Sequence, residues 1–389
     1  MDFHLLKRNS KDIEYILIIV LLLISVLSSV TVYSVVIQRP DLGIGYFKKE
    51  IIYQVVGYAM MFSFMLLDYH TLRKLKWFIY GFNILTLVIV FRFPNAVHGA
   101  ASWIPLPGGF QFQPSEFAKL GLIILLADVM ATEDEKEVPN RGIKPLLVMF
   151  FYMIVPFVLT LKEPALGQAL VFLAIYACMV IPFVNKKILA TILSVGFVCM
   201  TAIVLAKFVY PDQIIHFMKQ HHMTSYQMTR IITFLDPKKV SYDASMQVVQ
   251  AQTAIGSGQL FGEGLLQGIL TNGRFVPEQQ TDMIFSALAE QFGFIGSTAL
   301  IVLFLVMFYR MIRVASTALD TFGIYMIVGI IGMFAFQIFE NIGMNILLMP
   351  LTGITLPFIS YGGTSLVANF MMIGIVMSVS IRRRKLRFT

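Results

Sequence analysis

Runs of apolar residues, each closed by a short polar break, recur along nearly the whole chain. Reading from break to break predicts helices near 13–37, 50–68, 77–91, 115–131, 145–161, 166–184, 188–208, 282–309, 319–347 and 362–381. Most reach the ~18 to 20 residues that a helix needs to cross a ~30 Å hydrocarbon core. The pattern therefore predicts an all-α polytopic integral membrane protein with ten transmembrane helices, built as a single domain over residues 1–389. The first run is too long for the apolar part of a signal peptide and no small-residue cleavage site follows it, so it reads as a retained span.

Composition supports this picture. The chain is 57% hydrophobic and 13% charged, where a soluble domain is about 25% charged. Its two cysteines, Cys178 and Cys199, fall inside apolar runs and read as small hydrophobes. The net charge of +8 could suggest nucleic acid, but the cations follow the membrane. They gather before the first span, around Arg73 to Lys76, at Lys136 to Lys144, at Lys186 and Lys187, at Arg310 and Arg313, and in the tail from Arg382. The short opposite connections carry only Arg39, Lys48, Lys49, Arg92 and Lys162. Short loops rich in Lys and Arg stay on the inner side, which predicts both termini in the cytoplasm. Anionic lipid suffices as the tail's counterpart, and no nucleic-acid partner is expected.

One connection is long: residues 209–281, between helices seven and eight, on the extracytoplasmic side. It mixes apolar residues with glycines, which predicts short helices lying in or re-entering the interface, because loose backbone at that depth needs protein or water around it. Its histidines His216, His221 and His222 lack the cysteine or acid that would complete a metal site.

An acid at membrane depth costs roughly 2.5 to 3.5 kcal/mol, so each is a functional candidate. In QFQPSEFAKLG, Glu116 and Lys119 stand three apart on one helix face, either as a self-neutralising pair or as a charged site at a cavity mouth. In helix eight, Asp282, Ser286, Glu290, Gly293 and Ser297 share one stripe that must face the bundle interior. In FENIGMNILLMPLTGITLPFISYGGTSLVANF, Pro350, Gly353, Pro357, Gly362 and Gly363 break helix nine from helix ten. Such breaks serve transport and catalysis alike.

PLTGITLPFISYGGTS (350–365), FQPSEFAKL (112–120), AIGSGQLFGEG (254–264) and VPEQQTDMIF (276–285) together resemble the SEDS family (shape, elongation, division and sporulation), its rod-shape branch most of all. The resemblance covers nearly the whole chain. It implies a peptidoglycan glycosyltransferase that polymerises lipid II, an undecaprenyl-pyrophosphate disaccharide pentapeptide, at the outer face of the bacterial cytoplasmic membrane. The implied partners are a class B penicillin-binding protein transpeptidase and other membrane proteins of the elongation complex. The family's essential acid falls on Asp282, its glutamate and lysine on Glu116 and Lys119, and its loop Tyr-Gln and Arg on Tyr226, Gln227 and Arg230. Gln113, Ser115, Thr281, Glu290 and Ser360, in or beside these motifs, are expected to bind substrate with them. No protein metal ligands or cofactor are expected, although a divalent cation (Mg or Mn) could help Lys119 or Arg230 neutralise the departing pyrophosphate. Three positions depart from the family pattern: Ala165 stands for an aspartate, Gln280 for a histidine and Leu270 for a glutamine. The rival readings are a lipid II flippase, which broken helices also suit, and a non-catalytic scaffold of a cell-wall synthase complex, which Ala165 and Gln280 suit.

Overall fold

The computed structural model describes residues 13–39, 43–92, 102–106, 110–136, 143–163, 165–184, 230, 232–235 and 242–383, with isolated residues between 189 and 213. Most of the seventh expected span, together with Tyr226, Gln227, His216, His221, His222 and Cys199, lies outside the described residues.

The apolar runs fold as helices because backbone N–H and C=O groups find no water in hydrocarbon and must bond within their own segment. In chain order these are α1 (Tyr15–Ile37), α2 (Gly45–Leu66), α3 (Tyr69–Lys74), α4 (Lys76–Val90), α5 (Pro114–Glu135), α6 (Lys144–Lys162) and α7 (Leu166–Val180). After them come α8 (Tyr242–Ser257), α9 (Ile269–Asn272), α10 (Ile284–Ser316), α11 (Thr321–Asn345) and α12 (Thr364–Ile381). Five of them, α1, α6, α10, α11 and α12, are long and apolar enough to cross a membrane, and α4 and α7 are shorter apolar helices. The protein is a multi-pass helical membrane protein. The long loop contains α8 and α9.

The sequence reading held no strands, yet β1 (Ile104–Leu106) and β2 (Phe110–Phe112) pair antiparallel between α4 and α5, with Ile104 opposite Phe112. Two such short segments satisfy each other's backbone, and neither is long enough to announce itself in sequence. Helix α5 starts with Pro114 at its first position, where a missing N–H costs nothing. Asp320 caps α11 by accepting from the Gly323 N–H at 2.8 Å.

Helix α12 lies along α2, and α11 packs against α5, α7 and α10. The apolar core runs through these helices, with Phe172, Phe304, Phe334 and Phe370 nearly or fully buried. At the helix ends formed by residues 14, 68–76, 128–136, 310–320 and 382–383, ion pairs close the bundle. Arg73 donates to Asp128 at 2.7 Å and Arg383 to Glu14 at 3.0 Å, and Arg310 joins the same glutamate. His70 and Tyr69 bind Asp320 at 2.6 and 2.9 Å.

Helix α10 is interrupted at Gly293, whose φ is 64° and ψ −161°. The loop entering α9 mends the break. Glu263 and Gly264 donate their N–H groups to the carbonyls of Glu290 and Gln291, at 2.8 and 3.2 Å. Phe294 and Ile295 donate in return to the carbonyls of Gln259 and Leu260, at 2.8 and 3.1 Å. The approach needs a bare Cα at Gly262, where a Cβ would lie 2.1 Å from the Gln291 carbonyl oxygen. The seam thus explains Gly258 and Gly262 of GSGQLFGEG.

Candidate active site

At the opposite ends of these helices lies a cavity of about 400 Å³. One wall is aromatic: Tyr46 and Tyr53 of α2 and Tyr361 line it, with the Tyr361 ring 5.2 Å from that of Tyr46 and 6.4 Å from that of Tyr53. Burial pushes the Tyr361 phenol above its ordinary value, so it stays a neutral hydroxyl. Ser102, Trp103 and Gln111 come from the hairpin, and Gln113, Ala165 and Gln168 from the starts of α5 and α7. Arg230, the turn Glu278–Asp282, and Thr352, Gly353 and Thr355 close the remainder.

Asp282 stands two residues ahead of the first helical residue of α10, on a turn rather than in the helix. The turn is bound to itself and to its neighbours. Thr281 and Met283 donate their N–H groups to the Glu278 carbonyl at 3.1 and 3.2 Å. The Glu278 carboxylate accepts from the Thr281 hydroxyl and the Gln280 amide at 3.1 Å each. Tyr361 N–H donates to the Gln280 carbonyl at 3.0 Å, tying the turn to the broken segment before α12. That segment bends at Gly353, where φ is 76°. A Cβ placed there would lie 3.3 Å from Asp282 Oδ2 and 3.5 Å from Arg230 Nη2, so an acid and a guanidinium converge on one bare glycine.

Among the expected site residues, Asp282, Thr281, Arg230 and Gln113 line the cavity together. Glu116, Lys119 and Ser115 lie behind its wall, all fully buried. Lys119 Nζ donates to Glu116 Oε2 at 2.7 Å and to Gln168 Oε1 at 3.0 Å, and Gln168 Nε2 closes the triangle on Glu116 Oε1 at 2.8 Å. The lysine is enclosed by its partners and is linked to the cavity through Gln168. Ser360 is spent on the Leu356 N–H at 2.7 Å. Glu290 is not a lining residue. Its carboxylate accepts from the N–H groups of Leu270 and Thr271 and from the Thr271 hydroxyl, at 2.6, 3.2 and 2.5 Å, which anchors α9 to α10.

Sequence reasoning passed over several residues here. Gln168 was not singled out, although it bridges the buried ion pair to the cavity. Glu340 of α11, completely buried, faces the same lysine. Its signal, an acid inside an apolar run, was present in the chain. Glu163, at the end of α6 beside Ser102, is also buried, and burial pushes its carboxyl up to about 8. Among the described residues no group of three His, Cys, Asp or Glu is placed to hold a metal ion, so these side chains do not form a metal cage.

A family model described as "Cell cycle protein", FtsW/RodA/SpoVE, matches residues 14–385. Stage V sporulation protein E of Bacillus subtilis is 34% identical, over 96% of this chain and 98% of its own. A probable peptidoglycan glycosyltransferase FtsW of Geobacter sp. is 33% identical, over 97% and 99%. The peptidoglycan glycosyltransferase RodA of Treponema pallidum is 29% identical, over 97% and 99%. A solved structure concerning the coordination of polymerization and crosslinking by a peptidoglycan synthase complex matches with a TM-score of 0.74 at 25% identity, covering 95% of this chain and 97% of that one. Thermus thermophilus RodA shares the fold, with a TM-score of 0.65 at 23% identity, covering 96% and 98%. A family match over nearly the full length establishes that the chain belongs to the FtsW/RodA/SpoVE family.

Proposed function

We propose that the chain is a peptidoglycan glycosyltransferase that polymerises lipid II, with Asp282 as general base. The observation that carries this reading is the convergence of Asp282 and Arg230 on Gly353 inside a polar cavity walled by tyrosines. In this reading Asp282 takes the proton of the acceptor's 4-hydroxyl. The freed oxygen attacks the donor's anomeric carbon, the bond from that carbon to the lipid pyrophosphate breaks, and the configuration inverts. The pyrophosphate departs with the bonding electron pair, and Arg230 is the cation lining the cavity that can meet it. Tyr46, Tyr53, Tyr361 and Trp103 offer flat faces with polar tips, which suit the apolar and hydroxylated sides of a sugar.

The topology in this reading has ten spans, both termini in the cytoplasm, and the cavity on the outer side, as the Lys and Arg distribution requires. Glycan strands then form outside, beside a class B penicillin-binding protein that cross-links them. Its support is the likeness to the synthase complex. Identities of 34, 33 and 29% to SpoVE, FtsW and RodA relatives assign the family and leave the branch open.

The test is purified protein with labelled lipid II, with and without the cognate transpeptidase. Polymer is expected from the wild type and a loss of about 10² to 10⁴-fold in Asp282→Asn, the scale of a positioned general base. Lipid movement across vesicles without polymer would make the protein a flippase. No product beside a competent partner would make it a scaffold, the reading that Ala165 and Gln280 on the cavity wall favour.

A further inference from the structure

The turn that carries Asp282 is not held by α10 alone. Asn341 of α11 is completely buried, and its Nδ2 donates to the Asp282 carbonyl at 2.8 Å and to the Ile354 carbonyl at 2.7 Å. An amide nitrogen carries two protons, so the two carbonyls use its donor capacity in full. The same geometry fixes which end of the side chain is nitrogen, because an oxygen there would face two acceptors. Asn345, one helical turn further along, adds a longer bond to the Asp282 carbonyl at 3.3 Å and donates to the Asn341 carbonyl at 2.9 Å.

The two carbonyls belong to two separate segments of the cavity lining. Asp282 ends the Glu278–Asp282 turn, whereas Ile354 lies between Gly353 and Thr355, both lining residues. A single side chain therefore sets the separation between the carboxylate and the glycine bend that it shares with Arg230. Asn341 does not itself line the cavity.

We propose that Asn341 is a positioning residue for Asp282: its amide clamps the Asp282 and Ile354 carbonyls together and so sets where the carboxylate stands over the bound acceptor. This rests on the reading of Asp282 as general base. Replacing the amide with a methyl group takes this donor from both carbonyls, leaving the Asp282 carbonyl the longer Asn345 bond, and lets the turn and the bend drift apart. A displacement of about 1 Å at a reacting group can cost about 10²-fold in rate.

The experiment compares Asn341→Ala, Asn341→Ser and Asp282→Asn in the full chain with its cognate transpeptidase. It measures kcat and KM for labelled lipid II, binding of lipid II by native mass spectrometry, and monodispersity in detergent. Asn341→Ala is expected to lower kcat about 10 to 100-fold, with KM and binding within about threefold of wild type. Asn341→Ser keeps one donor and is expected to fall between the two. Wild-type kcat in Asn341→Ala, with Asp282→Asn silent, overturns the clamp and leaves the base intact. Loss of binding in step with kcat, or loss of monodisperse protein in both Asn341 variants, makes the residue merely structural and also overturns it. Normal polymerisation by Asp282→Asn instead removes the base reading, and the clamp with it.

Discussion

A side chain at position 353 would be strained. Gly353 holds a φ of 76°, and an added methyl group would sit 3.3 Å from the Asp282 carboxylate and 3.5 Å from the Arg230 guanidinium. Gly353→Ala therefore carries a backbone strain of order 1 to 3 kcal/mol and presses on the Asp282 carboxylate. The expected outcome is a loss of about 10²-fold in polymerisation with lipid II binding weakened less, read from initial rates on labelled substrate. The acids of helix eight also part company at this scale. Asp282 faces the cavity, while Glu290, two turns along, spends its oxygens on Leu270 and Thr271. Both were legible as acids in an apolar setting. Their difference was not, because it depends on which loop closes over which turn.

At the scale of elements, the break in α10 and the short helix α9 form one device. Glu290 holds the N-terminal N–H groups of α9, and the preceding loop supplies the hydrogen bonds that the helix loses at Gly293. Hydrogen bonds to charged groups contribute about 1.5 to 3 kcal/mol each. Glu290→Gln is thus expected to lower the melting temperature and speed amide exchange over 268–272 while reducing polymerisation far less than Asp282→Asn does. Glu163 gives a pH dependence of definite sign. Burial raises its carboxyl from 4.5 to about 8, so the folded protein holds a proton that the unfolded chain releases. Its contribution to stability is present below about pH 4.5 and is lost as pH rises through 8. Thermal melts from pH 5 to 9 should show that decline, and Glu163→Gln should flatten it. The paired strands Ile104–Leu106 and Phe110–Phe112 show a limit of pattern reading, since three residues cannot display a period.

At the scale of the molecule, helix existence was legible almost throughout, because the hydrocarbon admits only segments that satisfy their own backbone and those segments are long and apolar. The same law made acids in apolar surroundings conspicuous, so Asp282, Glu116 and Glu290 were singled out by cost, although Glu340 was passed over. The sequence by itself thus determined a helical membrane protein, the family motifs and the short set of residues fit for chemistry. Tertiary structure alone decided their places and partners. It enclosed Lys119 behind Gln168, turned Glu290 to the loop, brought Arg230 from a distant segment to Asp282, and set Asn341 between the two walls. Burial cost is a property of each residue where it stands in the chain, whereas the partner that repays it arrives from segments far apart in sequence.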